Sequence, residues 1–233
     1  MKIKFCVWTV VALAVWSMKR HYADARPDDL WCILTPTAQL VGLITGARFA
    51  MAPGEGYVSL DRLFLIEKSC AGINFMIAAF GMVTFALVHR VTSSLSGARV
   101  LGVSLLASYA AAVLVNATRI VIAMWLAVHP IAPSTFSAAQ VHRVEGIAVY
   151  FGGLMLLYGI VRRLDSRSVL VASESALPLV CYYAITIGLP IANGAARASA
   201  PFVEHALIVL LLPPMLIITL GLVCGCVQAQ RSR

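Results

Sequence analysis

Three short stretches hold the residue types that could do chemistry: Ser69-Cys70-Ala71-Gly72-Ile73-Asn74, Asn116-Ala117-Thr118-Arg119-Ile120, and His142 with Glu145 and Gly146 behind it. A cysteine is a nucleophile as its thiolate, and a helix N-terminus favours that form through unpaired N–H groups and the helix dipole. At Cys70 a polar loop turns into an apolar run, so the residue is expected at a helix start. Lys68 or Arg119 would be the nearby cation, and Gly72 would let another backbone come close. Arg119 closes a long apolar run, where a lipid-facing guanidinium costs several kcal/mol; it therefore snorkels, pairs or works. In a site, its fork of donors could hold a carbonyl oxyanion or a carboxylate. Asn116, one turn earlier on the same helical face, could orient that guanidinium or donate to the same oxygen. His142 is the candidate general acid or base. Glu145 could orient its ring, or pair instead with Arg143.

Each residue also has a plain reading: Cys70 as an inert buried thiol, Arg119 as an interfacial anchor, His142 as a solvated loop histidine. His129 is the rival histidine, although Pro130 marks it as a helix end. His21, His89 and His205 read as interfacial or loop residues.

The elements that must position these groups are membrane helices. The chain has 233 residues, of which 61% are hydrophobic and 12% charged, and its mean hydropathy is +0.89. That composition excludes an ordinary soluble domain. The net charge of +8 sits in short basic clusters between apolar runs, which disfavours nucleic-acid binding. The predicted fold is all-α and polytopic, a bundle of about seven transmembrane helices in a single integral-membrane domain over 1–233. The expected spans are Ile3 to Met18, Leu30 to Ala50, Ala71 to Val88, Val100 to Thr118, Gly146 to Val161, Leu177 to Ile191 and Phe202 to Val223. The fourth helix is free to run on to Val128, where Pro130 and Pro133 break the chain. Ala52 to Lys68 reads as a packed extracytoplasmic loop before the third span, with one short strand.

With the Lys19/Arg20/Arg26 linker placed in the cytoplasm, ten Lys and Arg lie inside and eight outside. The N-terminus is then out and the C-terminus in. Spans three to five alone place Cys70, Arg119 and His142 on one face, opposite the turns that carry Arg90, Arg99, Arg162 and Arg163. Cys6, Cys32, Cys181, Cys224 and Cys226 fall in apolar stretches, where a thiol behaves as a small hydrophobe. Cys224-Gly225-Cys226 lacks a second ligand pair, so no metal site is read, and no cofactor is expected.

Cys70-Ala71-Gly72-Ile73, Asn116-Ala117-Thr118-Arg119-Ile120 and His142 with Gly146 four residues on, taken in that order, resemble the exosortase/archaeosortase family, most of all its exosortase K branch. The resemblance covers roughly residues 55–160. It implies a multi-pass cysteine protease/transpeptidase of the bacterial inner membrane with its site facing the periplasm. Its substrates would be exported proteins with a C-terminal motif, a transmembrane helix and a basic tail. Cys70 would be the nucleophile, Arg119 the clamp and His142 the proton-transfer residue. Ala71 departs from the commoner Cys-Ser-Gly pattern. Two other classes stay open on the residues alone: a small transporter, favoured by Pro190 and Pro213-Pro214, and an assembly subunit without chemistry. A membrane phosphatase would use Arg and His but has no need of Cys70.

Overall fold

The computed structural model describes residues 2–129, 137–165, 175–192 and 200–231. Helices dominate. α1 (Lys2–Asp24), α2 (Trp31–Thr45), α3 (Ile73–Leu87), α4 (Ser94–Val128) and α5 (Ala138–Leu164) are followed by α6 (Ala176–Tyr183), a π-helical segment (Ala184–Gly188), α7 (Leu189–Ala192) and α8 (Ala200–Arg231). Among the described residues three helical stretches are long and apolar enough to cross a membrane: Lys68–Arg90, Ser94–Val128 and Ala139–Leu164. Two shorter apolar helices, Ala176–Ala192 and Val203–Thr219, follow.

The second predicted span is shortened. α2 stops at Thr45 because Gly46 takes a left-handed φ of 75° and returns its N–H to the Gly42 carbonyl at 2.8 Å. Its 15 residues reach about 22 Å, short of a hydrocarbon core of about 30 Å. The chain then enters a sheet rather than the loop with one strand expected from sequence. β1 (Phe49–Ala52), β2 (Gly56–Ser59) and β3 (Leu65–Ile66) form an antiparallel meander in the order β1-β2-β3. Gly56 is required there, since a Cβ on it would lie 2.4 Å from the Ile66 carbonyl oxygen. The turn between β1 and β2 is tied to the rest of the chain by Asp28, whose carboxylate accepts the Gly54 N–H at 3.0 Å.

α3 is apolar all round and forms the centre of the bundle, with twelve buried positions. α4 is one continuous helix of 35 residues, so the expected extension past Arg119 is present. It starts at a Ser93/Ser96 capping box. Along α4 the buried positions Val100, Ser104, Ser108, Ala112, Asn116 and Ile120 recur every four residues. Small side chains in that stripe let α3 approach closely, and Asn116 is its polar member. Gly153 does the same on α5, where a Cβ would come within 2.7 Å of Val115 on α4. At one end of the bundle α3 and α5 are tied by Arg90 to Asp165 at 2.7 Å, with His89 at 3.1 Å from the same carboxylate oxygen. Cys70, Arg119 and His142 lie at the other end. The expected break at Pro130 and Pro133, and Arg167 in the basic turn, lie outside the described residues.

Candidate functional site

Cys70 does not start the third helix. It lies in a 3-10 turn (Lys68–Ala71), and α3 begins at Ile73 behind Gly72. The N–H groups left open by α3 are therefore those of Ile73 onward, and the sulfur sits upstream of them. Gly72 has φ 66°, a left-handed turn that a β-carbon opposes. What it admits is a side chain rather than a second backbone: a Cβ there would stand 3.4 Å from Asn116 Cβ and Cγ. Lys68 also points elsewhere. Its Nζ donates to the Ala23 carbonyl at 3.0 Å and lies 5.2 Å from the Tyr22 ring centroid. Tyr22 donates to the Lys68 carbonyl at 3.3 Å. Burial, with Cys70 and Glu67 nearby, pushes the Tyr22 phenol above its ordinary value, so it stays a donor.

Asn116 links the three elements. It is fully buried, its Nδ2 donates to the Cys70 carbonyl, and its Oδ1 accepts from the Tyr150 hydroxyl at 2.9 Å. Tyr150 in turn accepts from Arg119 Nη1 at 2.9 Å. The order Cys70 carbonyl, Asn116, Tyr150, Arg119 is thus a hydrogen-bonded chain with one direction of donation. Tyr150 was not singled out from sequence. The signal available was its position, eight residues after His142 and four after Gly146, on one face of α5.

Arg119 Nη2 meets His142 Nε2 at 2.9 Å. A guanidinium cannot accept, so Nε2 accepts and the ring proton sits on Nδ1. That nitrogen lies 3.5 Å from Glu145 Oε2. Glu145 is buried with no hydrogen bond among the described residues, and the ring edge of His142 is its nearest ionisable neighbour. Arg143 turns away to Glu204 on α8 at 3.4 Å. Of the two pairings open from sequence, the carboxylate takes the histidine. His142 itself lies on α5 rather than in a loop, because Ser137 caps that helix by accepting from Gln140 N at 3.2 Å. Gly146 makes room for the arginine, since a Cβ there would lie 3.3 Å from Arg119 Nε. That Nε has no hydrogen-bond partner among the described residues.

Cys70, Arg119 and His142 line one cavity of about 510 Å³, with Phe64, Leu65, Ile66 and Glu67 forming a wall from β3 and its flanks and Ser69 joining from the 3-10 turn. The sulfur's polar neighbour is Ser69, whose Oγ is 3.8 Å away and donates its own proton to Glu67 Oε1 at 2.8 Å. The rival His129 is absent from this lining. It stacks on Trp125 at 5.0 Å and bonds the Trp125 carbonyl at 3.2 Å, a local helix-end arrangement. Among the described residues no group of three His, Cys, Asp or Glu side chains is arranged to hold a metal ion. Chemically, the cavity offers a thiol, a guanidinium with donors to spare, and a neutral imidazole backed by a carboxylate. Searches against protein-family models, curated proteins and solved structures find no match to this chain.

Proposed function

We propose that the chain is a membrane-embedded cysteine protease/transpeptidase of the exosortase kind, acting on the C-terminal sorting tail of exported proteins. In this reading about seven helices span the bacterial inner membrane, residues 55–160 form the catalytic core, and the cavity faces the periplasm. The observation that carries it is the shared cavity: three residues spread over more than seventy positions line one hollow, two of them in direct contact. The family's motif order, read here from Cys70, Arg119 and His142, supports the same assignment.

The substrate's helix would lie beside the bundle and bring its scissile carbonyl to Cys70. His142 takes the thiol proton and becomes imidazolium. The thiolate sulfur bonds to the carbonyl carbon, and the oxyanion takes N–H donors from Arg119. The donor that Arg119 gives His142 at rest would turn to the substrate carbonyl oxygen as it binds, which frees the Nε2 lone pair to take the thiol proton and leaves Arg119 on the oxyanion as it forms. Collapse breaks the C–N bond, and the imidazolium protonates the departing amine. Water, an amine or a hydroxyl next attacks the thioester, gives its proton to His142 and releases the thiol.

The test is processing of a co-expressed protein bearing a C-terminal transmembrane sorting tail. Cys70→Ala and Cys70→Ser should leave the protein in the membrane and abolish cleavage. Normal cleavage by either variant removes Cys70 from the mechanism.

A further inference from the structure

We infer that the cavity holds its substrate as an extended peptide paired to the free edge of β3, which leads the scissile bond to Cys70. The register fixes which backbone groups are free. Leu60 N donates to the Arg48 carbonyl at 2.9 Å, so the even-numbered residues of β2 face β1. Ser59 N donates to the Phe64 carbonyl at 2.9 Å, so Ser59 and Tyr57 face β3, and Tyr57 pairs with Ile66 through the ladder. Leu65 is opposite Val58, and hydrogen-bonded pairs alternate along an antiparallel ladder. The Leu65 N–H and C=O are therefore directed away from β2, on the edge that no further strand covers in the described residues.

That edge belongs to the cavity. Phe64, Leu65, Ile66 and Glu67 line it together with Cys70, Arg119 and His142. Leu65 is 46% exposed while its neighbour Ile66 is 1% exposed, so the strand turns one face outward and anchors the other in the core. Unpaired strand groups are matched by another backbone, which pairs at about 4.8 Å and alternates its donors and acceptors in step. In this mode main-chain bonds give affinity, and pockets for alternate side chains give selectivity. A peptide is thus the occupant whose chemistry fits both ends of the hollow: amides for Leu65, and a carbonyl for Arg119. The inference rests on the proposed cysteine chemistry, and it adds the conformation of what is bound and the backbone that holds it.

The experiment uses the full chain in detergent and reads alkylation of Cys70 by peptide mapping. One probe is chloroacetamide, and the other is acetyl-tetraalanine chloromethyl ketone. Each rate is divided by its rate with glutathione. The tetrapeptide is expected to react at least tenfold faster with Cys70 on this scale. Isomers carrying one N-methyl group should lose that advantage at one amide only, the one set against the Leu65 carbonyl, and Leu65→Pro should lower the ratio of the two rates. A uniform effect of methylation along the probe overturns the pairing, as does normal chloroacetamide labelling with no peptide advantage. An advantage that fades as protein concentration rises assigns the edge to a second copy and also overturns it. No labelling by chloroacetamide at all overturns the reactive cysteine itself, and the pairing with it.

Discussion

Tyr150→Phe removes one oxygen from the centre of the polar chain and leaves the ring in place. The hydroxyl accepts from Arg119 Nη1 at 2.9 Å and donates to Asn116 Oδ1 at 2.9 Å. Asn116 is fully buried, so its freed oxygen has no water to turn to. One of the two bonds is to a charged donor, in the class worth about 1.5–3 kcal/mol, and the other is neutral at about 0.5–1.5 kcal/mol. Side-chain hydrogen bonds in membrane proteins have averaged nearer 0.6 kcal/mol. The sum for two such bonds therefore lies between about 1 and 4.5 kcal/mol, with about 2 kcal/mol the expected loss. The larger effect should be on rate. Arg119 keeps His142 but loses the contact that fixes its other Nη, and misplacement of a clamping group by about 1 Å costs on the order of 100-fold. The assay pairs thermal melting in detergent with processing of a tail-bearing substrate. Lower stability with unchanged processing would make Tyr150 a purely structural strut. Wild-type values in both would refute the argument that this hydroxyl positions Arg119.

Four further substitutions separate strain, reach and space. Arg119→Lys offers a single ammonium where Nη1 and Nη2 now reach Tyr150 and His142 separately, so processing should fall by on the order of 100-fold or more; near-normal turnover would reduce Arg119 to an anchor. Gly146→Ala should raise or preserve melting temperature, because Ala is better than Gly in a helix by about 1 kcal/mol, while processing falls as the new methyl presses on Arg119 Nε at 3.3 Å; unchanged processing would show that the guanidinium has slack. Gly72→Ala and Gly46→Ala both force a left-handed residue at about 1–2 kcal/mol, but only Gly72 has a neighbour, Asn116, at 3.4 Å. Both variants should melt lower and only Gly72→Ala should lose processing; equal processing would break the link from Gly72 through Asn116 to the site.

Much of this arrangement was legible in the residues alone. Apolar runs of spanning length gave α3, α4 and α5, since hydrophobic length is a local property of the chain. Their alternation across the bundle placed Cys70, Arg119 and His142 at one end, and the motif spacing singled out Asn116, Gly72 and Glu145 beside them. What did not show was whatever depends on partners distant in sequence. The β1-β2-β3 meander has neither period clearly, because its strands are two to four residues long and are stabilised by pairing rather than by pattern. Tyr150 looked like one more aromatic on an apolar helix until α4 brought Asn116 and Arg119 against it. Lys68 looked like a cation for the thiol, yet α1 draws it to Ala23 and Tyr22.

Sequence by itself determined the three long apolar helices and the end of the bundle at which the polar residues gather. These follow from composition and hydropathy along the chain. Tertiary structure alone decided which atoms meet: Arg119 between Tyr150 and His142, Glu145 on the histidine rather than on Arg143, and the open edge of β3 beside Cys70. Hydrogen-bond partners are chosen by direction and distance between elements, and one-dimensional spacing does not carry those quantities.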